Sequence, residues 1–166
     1  QDVIYPKKDK MLLPRMYSTQ PGHDGLYREW SGLAEGERPG FGDNLGYMIR
    51  YQFGHMYFRY FMWNFAGRDG DDKEAGWLLP WETNSEDIPY DLRTNKSRSN
   101  FFMLPLILGL IGLFYHWRKD EKRFWVNMLL FFIMGLGLVL YLNSPPTEPR
   151  ERDYIYVGSF YAFAIW

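Results

Sequence analysis

The chain contains no cysteine. That absence excludes disulfides, thiolate nucleophiles and cysteine-ligated metal sites, and it leaves the compartment unspecified. Net charge is also scarce, with 19 Lys and Arg against 20 Asp and Glu. The basic balance that would favour a nucleic-acid partner is therefore missing. No phosphate-binding glycine loop, nucleophile elbow or paired-histidine metal motif occurs. Gln1 stands where an initiator would, no basic-then-apolar signal segment follows it, and Trp166 falls inside an apolar run. From these two ends the expectation is a piece of a longer protein.

What is present is unevenly distributed. Residues 1–100 hold 13 of the 19 Lys and Arg, and from Phe101 onward nearly all charge sits in two clusters, "RKDEKR" and "EPRERD". One residue in five is aromatic. Tyr and Trp in such excess suit a chain that meets lipid headgroups, where an apolar ring with a polar tip is favoured.

Between the clusters lie long uncharged stretches. "FFMLPLILGLIGLFYHW" (Phe101–Trp117) has 17 residues and would span about 26 Å as a helix, near the lower limit for a hydrocarbon core of about 30 Å. Pro105 falls in its first turn and a half, where proline costs least. "FWVNMLLFFIMGLGLVLYL" (Phe124–Leu142) has 19 residues, twelve of them Leu, Phe, Ile or Val. Those twelve give at most about −4 to −7 kcal/mol of insertion free energy, opposed by Asn127 and the glycines. Both runs are apolar all round rather than striped, which favours membrane spans over a buried helical hairpin in a soluble protein. A third run, Tyr154–Trp166, has 13 residues and would reach only about 20 Å, so it reads as an incomplete span. The joining "RKDEKR" (118–123) has four basic residues and is expected in the cytoplasm by the positive-inside rule. Residues 1–100 and 143–153 then face the periplasm or lumen.

Within the outer hundred residues, "LGYMIRYQFGHMYFRYFMWNFAGR" (Leu45–Arg68) mixes rings with Arg50 and Arg59. Two arginines near a bilayer centre would cost roughly 2.5–3.5 kcal/mol each, which argues against a span. A helix over 45–66 would align Tyr47, Tyr51, His55, Phe58 and Met62. It would lie in the membrane interface or cover the top of the membrane domain. "GRDGDDKEAG" (Gly67–Gly76) fails the calcium-loop spacing, because Lys73 and Glu74 stand where Asp or Asn and then Gly are needed. It reads as a solvated acidic loop, with no metal site. His23 beside Asp24 is a weak acid/base candidate, since neighbours in sequence rarely face one target.

The cluster Arg150, Glu151, Arg152, Asp153 follows the helix-ending prolines of "SPPTEP" and directly precedes Tyr154 and the third apolar run. Arginine forks there are placed to bind lipid phosphates in bidentate fashion. Internal pairing of Arg with Glu or Asp is the alternative.

"RMYSTQPGHDGLYREWSGL", "FGDNLGYMIRYQFGHMYFRYFMWNFAGR", "MLPLILGLIGLFYHW" and "PRERDYIYVGSFYAFAIW" closely resemble a family of large multipass membrane proteins of Bacteroidota, known as domain of unknown function 2723. That family is similar to transmembrane protein O-mannosyltransferases, which are GT-C-like glycosyltransferases. The resemblance runs over essentially all of the chain, its last block being the most specific. It implies an internal fragment of a mainly α, multipass transmembrane bundle in the bacterial inner membrane, with an irregular aromatic-rich extracytoplasmic segment. It further implies transfer of sugar from a polyprenyl-phosphate donor to protein hydroxyls. The phosphate-binding residues would be Arg150 and Arg152, supported by Glu151, Asp153 and Tyr154. No cofactor is expected beyond the donor, a divalent cation being the one option left open. The partners would be membrane lipid, the remainder of the same protein or other membrane subunits, and no nucleic acid. The family's catalytic acid belongs to a Trp-Asp-x-Gly-Glu-type motif that this chain does not contain. The competing expectation is therefore a non-catalytic structural subunit of a membrane complex, with Gly109, Gly112, Gly135, Gly137 and the Gly158/Ala162 pair allowing close helix contacts. A transporter has little support, since His116, near a segment end, is the one ionisable residue in the apolar runs.

Overall fold

A computed structural model describes residues 10–82, 88–147 and 150–166, and among these the chain is mainly helical. Glu148 and Pro149 of the charge cluster lie outside the described residues. Helix α1 is His23–Ser31. Helix α2 (41–65) runs through Phe41–Tyr47, a π-wound stretch Met48–Phe58 and Arg59–Phe65. A two-residue strand β1 (Gly67–Arg68) pairs antiparallel with β2 (Ser99–Asn100), and the short α3 (Tyr90–Thr94) lies between them in sequence. Then follow α4 (Leu104–Lys119), α5 (Glu121–Leu142, π-wound over Ile133–Gly137), a 3₁₀ turn Asp153–Tyr156 and α6 (Val157–Ala164).

The core is aromatic because α2 carries the rings and turns them toward α5 and α6. Tyr57, Tyr60, Phe61, Phe65, Tyr156, Phe160 and Phe163 are all buried. Phe61 meets Phe163 edge-to-face with centroids 4.9 Å apart, and Tyr57 meets Tyr156 the same way at 5.4 Å. Each such pair adds about 0.5–1.5 kcal/mol beyond the area it buries. The π winding is accommodated by Gly54, where a Cβ would stand 3.3 Å from the Ile49 carbonyl. It stacks Tyr47 on Tyr51 (5.2 Å) and Tyr51 on His55 (5.5 Å). The stripe expected to continue through Phe58 and Met62 divides there. Phe58 is exposed and Met62 buried, because the return to α winding at Arg59 rotates the face.

The apolar runs behave differently from α2. α5 is the one helix, among the described residues, long and apolar enough to cross a membrane, with 22 residues. Its outward side chains, such as Val126, Leu129, Phe132 and Ile133, are exposed. α4 has 16 residues, about 24 Å. The basic stretch 118–123, expected as a turn, shortens to the single non-helical residue Asp120. Its carboxylate accepts the Arg123 backbone N–H (3.2 Å) and caps α5. Arg118 and Lys119 end α4, where cations suit the helix dipole.

Polar groups in the apolar helices are satisfied across the bundle. Asn127 of α5 donates to the Ala162 carbonyl of α6 (2.9 Å). Ser159 of α6 donates to the Phe131 carbonyl (2.9 Å) and so accepts from the Tyr57 hydroxyl (2.7 Å), joining α2, α5 and α6 at one point. Gly135 is the floor beneath that junction, since a Cβ there would stand 2.6 Å from Tyr57 Oη and 2.7 Å from Ser159 Oγ. Gly135→Ala is expected to destabilise the protein by about 1–3 kcal/mol through overpacking. Gly137→Ala, whose new Cβ meets nothing closer than 3.4 Å, should be neutral or slightly stabilising. Thermal unfolding of the two variants in one detergent checks the contrast.

Candidate functional site

The charge cluster after α5 meets α2 at its return from π to α winding. Arg59 is buried at that point. Its guanidinium donates from Nε to the His55 carbonyl (3.0 Å), from Nη1 to the Ala75 carbonyl (3.0 Å) and from Nη2 to Glu151 Oε2 (2.8 Å). The cation also lies 4.5 Å from the Tyr60 ring centroid and 4.7 Å from that of Trp63, a placement favoured by the ring quadrupoles. The Trp63 indole N–H in turn donates to the Gly76 carbonyl (2.9 Å), and Arg68 stands 4.0 Å from the same ring.

Glu151 is the counterpart. One carboxylate oxygen accepts from Arg59 and from the Tyr60 hydroxyl, while the other accepts the Glu74 backbone N–H (2.6 Å). The Tyr60 oxygen, whose O–H donates to Glu151, accepts the Arg152 backbone N–H (3.2 Å). Three segments thus converge on one carboxylate: α2, the 69–76 loop and the 150–153 segment that leads into the 3₁₀ turn. Burial pushes the Glu151 carboxyl up. The Arg59 guanidinium, the Tyr60 hydroxyl and the Glu74 N–H together outweigh it and hold the group below the ordinary carboxyl range. Burial, and then the bond to Glu151, push the Tyr60 hydroxyl well above its ordinary range. Burial and then the nearby Arg59 lower His55, which is therefore neutral at neutral pH.

The five residues singled out from sequence do not act as one group. Glu151 is the clamp. Arg152 is half-buried, with its backbone tied to Tyr60. Arg150 is exposed and lines a cleft with Lys73, Glu74, His55 and Arg59. The cleft measures about 10 Å³, the room of a single water. Asp153 opens the 3₁₀ turn, and Tyr154 is exposed beyond it. The carboxylate–arginine pair therefore forms over long range with Arg59, not between neighbours in the cluster. Sequence reasoning missed Tyr60, Trp63 and Glu74. The available signal was Arg59 itself, a cation within an otherwise aromatic helix.

Other candidates resolve locally. Asp24 pairs with Arg28 (2.8 Å), away from the buried His23. In the 67–76 loop Asp69 pairs with Arg98, and Asp71 accepts from the Asn95 amide (2.6 Å). No group of three potential metal ligands occurs among the described residues. A second polar anchor holds the far end of α5. Arg15 donates to the Leu140 carbonyl (2.9 Å), and Gln52 donates to Asn143 Oδ1 and the Ser144 carbonyl (3.0 Å each).

Because Glu151 has a depressed pKa in the folded state, its contribution is present above the ordinary value of 4.5. It is lost as pH falls through the folded value. Melting curves of the wild type and Glu151→Gln should be separated at neutral pH, with the wild type more stable, and should converge as pH falls below the ordinary carboxyl value of 4.5 and through the lowered folded one. A constant separation across that window contradicts the clamp.

Residues 1–49 match the model of a family of unknown function (DUF8416). The match covers α1 and the start of α2, and ends before Arg59. No curated protein and no solved structure matches the chain.

Proposed function

We propose that this chain is part of an integral membrane glycosyltransferase of the GT-C-like type, in which α4, α5 and α6 belong to a multipass bundle of the bacterial inner membrane. The basic α4–α5 tip faces the cytoplasm. Residues 1–100 and 143–153 form an extracytoplasmic layer above it. Sugar moves from a polyprenyl-phosphate donor to a protein hydroxyl on that outer side. The observation that carries this reading is the placement of Arg150. The Glu151 clamp fixes the backbone next to Arg150, and leaves Arg150 exposed on the small cleft that Lys73 also lines. A cation there would neutralise the charge that develops on a departing phosphate, where electrostatic stabilisation gains most. The exposed apolar sides of α4 and α5 support the membrane placement, since a soluble core helix would bury them. Glu151 itself is engaged in three hydrogen bonds. The base that activates the acceptor hydroxyl would then come from elsewhere in the longer protein.

That last point also favours a second reading, a non-catalytic subunit that packs against partner helices. One experiment separates the two. Arg150→Gln and Arg152→Gln are introduced together into the full-length protein, and periplasmic glycoproteins are profiled from cells carrying it. The transferase reading predicts glycosylation reduced at least tenfold with the protein still inserted. An unchanged profile at normal protein levels supports the structural subunit.

A further inference from the structure

Residues 10–19 lie against α2 and the C-terminal end of α5 as a strap with no helix or strand of its own. None of its backbone groups bonds to another backbone group among the described residues. A segment without such bonds opens at lower cost than the helices beneath it. The strap is also strained, since Leu13 holds a left-handed φ of 67°, a region that side chains with a Cβ disfavour.

What holds the strap down is mostly side-chain chemistry. Asn44 Oδ1 of α2 accepts the Arg15 and Met16 backbone N–H groups (2.6 and 3.1 Å). The Ser18 N–H reaches the Tyr27 hydroxyl at 3.4 Å. Arg15 makes the longest reach, its Nη1 donating to the Leu140 carbonyl (2.9 Å) and to Asn143 Oδ1 (3.3 Å). Arg15 is 4% exposed, yet no carboxylate pairs with it among the described residues. Its Nε has no hydrogen-bond partner either. Leu140 lies in the last turn of α5, where carbonyls lack intrahelical partners and the dipole favours a cation. That helix end is all that answers the charge. Arg59 is equally buried, but it has Glu151. Desolvation of Arg15 is therefore less fully offset.

We infer that the strap is a latch with Arg15 as its fastening, which opens as a unit while the helices stay folded. Opening withdraws the guanidinium and uncovers the Leu140 carbonyl and Asn143 Oδ1. It also releases Asn143 from the strap, to which its amide is tied a second time through the Pro14 carbonyl (3.5 Å). Asn143 begins the connection that carries Arg150 and Glu151, so the latch bears on the start of that segment. The missing carboxylate is what keeps the fastening weak enough to release. The inference rests on the fold alone, independent of sugar transfer and of membrane placement.

The test is hydrogen–deuterium exchange of the full-length protein in mild detergent at neutral pH, read at the Met16 and Ser18 amides. Neither amide bonds to the Arg15 side chain, so both report the strap itself. Arg15→Ala should speed both by about tenfold, together, and leave the amides of α2 beyond Tyr57 and of α6 unaltered. Asn143→Asp supplies the missing counter-ion at the same atom and should slow both by about tenfold. Arg15→Ala combined with Asn143→Asp should exchange no more slowly than Arg15→Ala alone. Should Arg15→Ala fail to fold, Asn143→Asp decides the matter. Unchanged exchange in Arg15→Ala, or an equal rise across α2 and α6, would overturn the latch. So would exchange in Asn143→Asp at or above the wild-type rate.

Discussion

The bond between Arg59 and Glu151 is the constraint on which the packing of α2, the 69–76 loop and the 150–153 segment depends. The two residues are 92 positions apart, and their contact closes the chain around the aromatic core. An arginine with 7% of its side chain exposed carries a large desolvation penalty, offset only when its donors are all met. Here each of its three nitrogens donates, to the carboxylate or to a backbone carbonyl, and two ring faces lie against the cation. The same carboxylate orders the 69–76 loop through the Glu74 N–H and the entry to α6 through Tyr60. Loop, helix entry and α2 therefore hold one another through a single group.

The aromatic content has a structural use that follows from this arrangement. α2 packs its rings against α5 and α6, while α4 and α5 turn most of theirs outward. Two populations of aromatic residue result. Phe61, Phe65, Phe160 and Phe163 form an interior held by edge-to-face contacts. Trp117, Trp125, Tyr141 and Tyr161 stand exposed at the ends and flanks of the apolar helices. Small residues set the distances between the layers. Gly135 admits the Tyr57–Ser159 bond, and Gly109 admits Phe163.

Much of the helical layout was legible in the sequence because long uncharged runs have few alternatives to helix. The run beginning at Phe124 proved to be the longest apolar helix, and the run at Phe101 became α4 after the loop residues preceding Leu104. The shortness of the 118–123 connection was not legible, since it depends on Asp120 capping α5 at a distance of three residues. The π winding of α2 was not legible either. It shifts the face and leaves Arg59 buried, which no period-3.6 reading anticipates. The cluster at 150–153 was recognisable as a site of charge, but the partition of its members was not. Glu151 found its partner across the fold, and sequence adjacency had pointed to Arg150 and Arg152.

The most direct test of this account is a double-mutant cycle on Arg59 and Glu151. Arg59→Met, Glu151→Leu and the double variant are unfolded in the same detergent at neutral pH. Each single variant is predicted to lose about 3–5 kcal/mol because it strands a buried charge, and the double variant to lose clearly less than the sum. Additive losses, with coupling below about 0.5 kcal/mol, would contradict the claim that this pair ties the 150–153 segment to α2.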